Sequence, residues 1–251
     1  MSERSRFRRG AYVVPSLFTI ANLLCGYIAV VRSLQGDYWF AALAILIAAL
    51  LDRLDGWVAR LTGTSSDFGV QLDSLADVVS FGMAPALMIH MWALSDLPKI
   101  VSFVPFLYLA AGSARLARFN IQAPAQDKRY FVGLPIPAAA CVIASCVFYN
   151  PAPVGDPLTS GLAAVLVAVL AVLMVSKVRY RSFKEIDLRR RTRWVMVILV
   201  AMVYFVVASS PEFVALILSF TYLLSGLVPR ILTPGRHEAR TAHAGGRHGK
   251  T

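Results

Sequence analysis

Four aspartates sit inside sequence apolar enough to be membrane helix, and this restricts the chain more than any other feature. They are Asp52, Asp55, Asp73 and Asp77, in the stretch LDRLDGWVARLTGTSSDFGVQLDSLADVVSFGMAP from Leu51 to Pro85. An ionised carboxylate in lipid costs several kcal/mol, so it persists there only with a partner or a task. Helical spacing gives the acids a common purpose. At about 3.6 residues per turn, Asp52, Asp55, Gly56, Ala59 and Arg60 fall at i, i+3, i+4, i+7 and i+8, on one face. Gly69, Asp73 and Asp77 repeat at i, i+4 and i+8 on a second helix. Gly63, Thr64, Ser65 and Ser66 between them are turn residues, which predicts an antiparallel helical hairpin. At a rise of ~1.5 Å per residue, Asp55 then lies level with Asp73, and Asp52 with Asp77. All four carboxylates face one small volume roughly 10–15 Å from the turn.

Oxygen ligands of that charge suit Mg²⁺ or Mn²⁺, and there is room in the ligand count for two ions. No His or Cys is placed for zinc. Gly56 and Ala59 leave the same face nearly bare, so a bulky ligand can approach the backbone, and Arg60 supplies a positive group for phosphate. Carboxylates, a bare strip and an arginine are the parts of a phosphoryl-transfer site. The competing reading is acids paired with Arg53 and Arg60 purely for helix packing.

The residues read D-x2-D-G-x2-A-R-x8-G-x3-D-x3-D from Asp52 to Asp77, with all eight fixed positions present. This resembles the signature of the CDP-alcohol phosphotransferase family. The flanks Ala21–Gly26, Asp73–Pro85, Arg115–Asn120 and Gly133–Pro137 are similar to the serine-using bacterial and archaeal integral-membrane branch of that family, and the likeness covers about residues 13 to 150. It implies that CDP-diacylglycerol donates a phosphatidyl group to the hydroxyl of L-serine, releasing CMP. Asp52, Asp55 and Asp73 then hold metal, Asp77 contributes to the metal site and acts as base, and Gly56, Ala59, Arg60 and Gly69 receive the CDP moiety. No Ser, Cys or His is paired with a base, so direct in-line attack is expected rather than a covalent enzyme intermediate. Rival readings are another acceptor, glycerol 3-phosphate or inositol phosphate, and a cation or proton transporter. A phosphorylated acceptor wants a denser cationic cluster than Arg115 and Arg118 provide. A transporter would spread its acids through the membrane rather than gather them near one side.

The rest of the chain fits an all-α polytopic membrane protein. Of its 251 residues, 57% are hydrophobic, and the mean hydropathy is +0.63. Eight apolar runs are long enough to span or nearly so, near 13–31, 38–60, 68–93, 100–118, 134–149, 158–176, 194–209 and 212–228. An even count puts both termini on one side. Arg4, Arg6, Arg8 and Arg9, the cluster from Lys177 to Arg193, and the arginines of the tail all fall on that side, whereas the opposite loops hold only Arg32 and Lys99. Positive charge marks the cytoplasmic side, so the net +11 reflects topology, with attraction to anionic lipid headgroups second. Nucleic-acid binding is disfavoured, because the basic residues flank spans instead of lining one face.

The expected organisation is a basic cytoplasmic tail (1–12), a catalytic core (13–150), C-terminal membrane helices (151–230) and a disordered tail (231–251). Pro15 is expected to open the first helix, which is read as a retained span despite its signal-like basic start. Asn22 within it is either an interhelical hydrogen-bonding residue or a contact for substrate phosphate, and Gly26 and Ala29 allow close packing. Ser80 follows Asp77 at i+3 and can border the same pocket. Pro85 is expected to kink its helix and free a carbonyl. Arg115 and Arg118 form a candidate anion site facing the acids, with snorkelling to the interface as the alternative. Cys25, Cys141 and Cys146 lack metal spacing and read as packed thiols; His90, without a placed partner, reads as structural. The segment Lys177–Arg193 is a basic connector able to rest on the bilayer surface. The last two helices are expected to serve as packing or homodimer surface.

Overall fold

A computed structural model describes residues 3–62, 67–122, 130–176, 179–181 and 210–232. It is helical apart from one short ribbon. Helix α1 spans Glu3–Leu34 and α2 spans Tyr38–Thr62. Helix α3, Asp67–Asp77, runs without a break into a π-helical stretch Val78–Met83, then α4, Ala84–Ile89, and a second π stretch, His90–Leu94. Helix α5 is Phe103–Gln122, α6 Ile136–Tyr149, α7 Pro157–Val175 and α8 Pro211–Leu232. Strands β1, Tyr130–Val132, and β2, Arg179–Arg181, pair antiparallel, Phe131 opposite Tyr180.

Three helical segments are long and apolar enough to cross a membrane: Leu17–Leu34, Phe68–Leu94 and Pro157–Val175. Two shorter apolar helices, Ile136–Tyr149 and Pro211–Ser225, accompany them. This is an integral membrane protein. The run at 194–209, the turn Gly63–Ser66, the connector beyond Arg181 and the tail after Leu232 lie outside the described residues.

Small residues set the packing that positions the site. Helices α1 and α2 pack along their length, with Ala29 of the first and Ala41, Ala42, Ala44 and Ala48 of the second buried in the core. Their connection is closed by Gly36 at φ +78°, and Asp37 accepts from the Phe40 amide at 3.2 Å. At Gly26 a Cβ would meet the Ser80 Cα at 2.7 Å, so α1 lies directly on the π stretch. There the Ser80 hydroxyl donates to the Asn22 carbonyl at 2.9 Å. Ser80 therefore joins two helices. At the far end, Tyr38 donates to the Met91 carbonyl at 3.1 Å and the Trp92 indole to the Asn150 carbonyl at 3.1 Å. Asp156 caps α7, accepting from the Thr159 amide at 3.0 Å.

One local expectation changes, and the carbonyl expected to be freed by Pro85 is found. Helix α1 already begins at Glu3, so Pro15 lies inside it; the preceding basic residues include no strong breaker, and the proline removes a single backbone donor. Around Pro85 the helix adopts π geometry before the proline. Pro85 has no N–H for the carbonyl four residues back, Phe81, and that carbonyl accepts from the buried Tyr108 hydroxyl at 2.9 Å. The freed acceptor is thus satisfied by α5. The connector, in turn, is tied down through Arg179–Arg181, which pairs with β1.

Candidate active site

Helices α2 and α3 bring Asp52, Asp55 and Asp73 together: one carboxylate oxygen from each lies within 4.8 Å of the others. Asp77, one turn beyond Asp73, faces Asp52 and is 7% exposed, while Asp55 is 6% exposed. Asp52 and Asp73 are half-buried. The acids align because the i, i+3 pair on α2 and the i, i+4 pair on α3 each put two carboxylates on one face.

Among the described residues the acids have little to offset their charge. The single ion pair among the described residues is Arg32–Asp37 at 3.3 Å, far along the chain from the motif. Arg53 neighbours Asp52 but does not close an ion pair with it, which disfavours acids kept for packing alone; the Arg60 side chain is outside the described residues. Thr19 of α1 donates to Asp55 Oδ2 over a long 3.4 Å. One oxygen each of Asp73 and Asp77 is buried without a hydrogen-bond partner. A hydrogen bond contributes about 1 kcal/mol net, whereas an uncompensated buried charge costs several, so one long bond cannot balance this cluster. A hard divalent cation can, and the oxygen-only donor set fits Mg²⁺ or Mn²⁺.

Around the acids, Asn22 is fully buried, with neither amide atom hydrogen-bonded. It lies beside Asp77, outside hydrogen-bond geometry. Gly56 and Gly69 are half-buried on the two motif helices; the Ala59 side chain is outside the described residues. Arg115 is half-buried on α5, stands near Asp77 and Tyr222, and buries its Nε without a partner. Arg118, three residues on, is exposed. The structure therefore separates this pair: Arg115 turns inward and Arg118 does not. Cys141 lies near Asp52 and Arg53; all three cysteines are free thiols.

Thr19 and Tyr222 were not among the sequence candidates. Thr19 precedes Asn22 by three residues, so the shared face of α1 was a usable signal. Nothing local marks Tyr222, which reaches the site only because α8 packs on α6.

Fold and site together define a helical membrane protein with a buried carboxylate centre suited to divalent cations and phosphate. The sequence profile of the CDP-alcohol phosphatidyltransferase family matches residues 12–176, and the chain belongs to this family. It is 36% identical over 194 residues, 77% of this chain and 82% of the relative, to a protein of Helicobacter pylori (strain ATCC 700392 / 26695) named CDP-diacylglycerol–serine O-phosphatidyltransferase. A protein of that name from Bacillus subtilis (strain 168) is 37% identical, covering 68% of this chain and 92% of the relative. An archaetidylserine synthase of Methanothermobacter thermautotrophicus is 40% identical, covering 66% and 69%.

Proposed function

We propose that the protein transfers the phosphatidyl group of CDP-diacylglycerol to the hydroxyl of L-serine, giving phosphatidylserine and CMP. The observation that carries the chemistry is the convergence of Asp52, Asp55 and Asp73 within 4.8 Å, with Asp77 beside them; the names of the relatives support serine as acceptor. Asp52, Asp55 and Asp73, with a contribution from Asp77, would hold one or two Mg²⁺ or Mn²⁺ ions. When bound, these neutralise charge on the diphosphate and on the departing CMP.

The remaining work falls to side chains and backbone. Gly56 and Ala59 let the CDP moiety approach α2, Gly69 does the same on α3, and Arg60 pairs with phosphate. Thr19 fixes the Asp55 carboxylate, and Asn22 lies against Asp77. Asp77 accepts the proton of the serine hydroxyl as its oxygen bonds to the phosphatidyl phosphorus and the bond from that phosphorus to the CMP oxygen breaks. The acyl chains stay in the bilayer between helices.

The reading includes eight crossings, with both termini and the acids on the cytoplasmic side, supported by the asymmetry of basic residues. It also includes a homodimer, supported by the apolar outer face of α8, where Ile217, Leu218 and Leu224 are exposed. Purified protein supplied with CDP-diacylglycerol and L-serine, glycerol 3-phosphate or inositol phosphate in turn, and followed for CMP and lipid product, tests the reaction. Phosphatidylserine formed with L-serine alone is expected; turnover with another acceptor in preference would refute the assignment, and no CMP release with any would refute the class.

A further inference from the structure

We propose that Arg115, together with Tyr222 of α8 and Arg53 of α2, receives the carboxylate of the amino-acid acceptor. This rests on the reading that the acceptor is L-serine and names the part of the site that recognises it. The cation is already inside: Arg115 is half-buried, its Nε is buried without a partner, and no acidic side chain among the described residues pairs with it. A buried guanidinium N–H without a partner is costly, and a ligand carboxylate is a planar match for the donors of the group. Tyr222 lies beside both Arg115 and Arg53, which places its phenol with two cations.

Position argues for the acceptor over the donor. Arg115 neighbours Asp77, the proposed base, and serine needs its hydroxyl at that base while its carboxylate is held nearby. The bare glycine strip for the CDP moiety belongs to α2 and α3, whereas Arg115 and Tyr222 come from other helices and Arg53 alone of the three shares α2 with that strip. Helix α8 is seated by the Ser219 hydroxyl donating to the Cys141 carbonyl at 3.3 Å and by buried Leu223. Ser219, Tyr222 and Leu223 share one face at i, i+3 and i+4, so the contact that docks the helix also directs Tyr222. Helix α8 lies beyond residues 12–176, the extent of the family match. Arg53 and Arg115 lie within that extent, and Tyr222 is the part of the proposed acceptor site that lies beyond it.

The test compares steady-state parameters of the full-length protein in detergent micelles containing CDP-diacylglycerol, using L-serine and serinol. Serinol keeps the amine and hydroxyl but has no carboxylate. Arg115→Ala should raise the KM for L-serine roughly tenfold or more, as expected for loss of a charged hydrogen bond, with the KM for CDP-diacylglycerol moving less than about twofold. Tyr222→Phe should raise the L-serine KM several-fold with kcat little changed, and Arg115→Lys should restore part of the loss. In each variant the preference for L-serine over serinol should narrow. An unchanged L-serine KM, an equal rise in the CDP-diacylglycerol KM, or an unchanged preference would overturn the assignment. If Arg115→Ala does not accumulate, Arg115→Lys and Tyr222→Phe carry the same comparison. Wild-type protein that turns over another alcohol but not L-serine would instead overturn the reading beneath it.

Discussion

The Asn120 side-chain amide of α5 donates to the Ser74 hydroxyl of α3 across 2.9 Å, next in sequence to Asp73. Ser74 itself donates back to the Val70 carbonyl at 3.0 Å, so the hydroxyl both gives and receives. This locks the acidic helix against the helix that carries Arg115. Asn120→Ala and Ser74→Ala should each lower stability by about 1 kcal/mol. Because they remove one shared bond, the double variant should lose less than the sum. Unfolding of the four proteins in the same detergent gives the coupling; strict additivity would deny the link.

Gly133 is bound to its conformation and its surroundings at once. Its φ is +82°, and a Cβ would strike the Met174 carbonyl oxygen and sit 3.2 Å from that of Ser176. The neighbouring Leu134 amide donates to the Leu173 carbonyl at 3.1 Å, so this loop terminates α7. Gly133→Ala should therefore cost more than backbone strain alone, which is on the order of 1–3 kcal/mol. Gly36 is the control: it has φ +78° but nothing within 4 Å of its Cβ position. Gly36→Ala should be the milder change in a thermal melt, and equal losses would place the cost in the dihedral alone.

Much of this site was readable from spacing, and what escaped did so for a physical reason. The carboxylates stand at helical spacing on α2 and α3, which follow each other closely in the chain, so periodicity aligns those of each helix. Asn22 carried a signal as a polar residue in an apolar helix. Thr19 did not stand out, because a threonine in a membrane helix often bonds its own backbone. Tyr222 follows the motif by well over a hundred residues, and its place depends on how α8 docks on α6. The pairing of Tyr130–Val132 with Arg179–Arg181 was hidden for the same reason: each strand is too short for its alternation to register, and its partner lies across two helices. The π stretch around Ser80 reflects contacts from Asn22 and Tyr108 that no local pattern reports.

Removing divalent metal should abolish turnover, because the clustered carboxylates repel one another without a cation between them. Asp52→Asn and Asp55→Asn should each abolish turnover at ordinary metal concentration and regain part of it in excess Mn²⁺ or Mg²⁺. Direct titration of metal into each variant separates weakened binding from damaged chemistry. Full activity of wild type in chelator would remove the metal role.

The two arginines of α5 should no longer behave as a pair. Arg115 points inward near Asp77 and Arg118 is exposed, so Arg115→Ala should harm turnover more than Arg118→Ala. Arg118→Ala should in turn exceed Lys128→Ala, a change beyond α5 in sequence. Assays at low and high salt give a further check, since an exposed arginine acts through a screened field. A loss at Arg118 as large as that at Arg115 would return both to one anion site.

Asp77 should differ from Asp52 in kind. Asp52 lies with Asp55 and Asp73 in the close oxygen cluster, whereas Asp77 is buried beside Asn22 with one oxygen unpartnered, free to accept a proton. Asp77→Asn keeps the shape but cannot take that proton. The attacking hydroxyl becomes more acidic as its bond to phosphorus forms, so even a weakly basic carboxylate serves at that moment. Loss of a general base slows reaction by ~10²–10⁴, while CDP-diacylglycerol affinity should change far less, because the three other carboxylates remain. Asp52→Asn should lose nucleotide-lipid binding along with rate. Binding and single-turnover rate measured on both variants decide the matter. If Asp77→Asn loses binding as badly as Asp52→Asn, Asp77 is mainly a ligand and the base lies elsewhere. If its single-turnover rate stays near normal, the proton leaves directly to water and the role given to Asp77 is wrong.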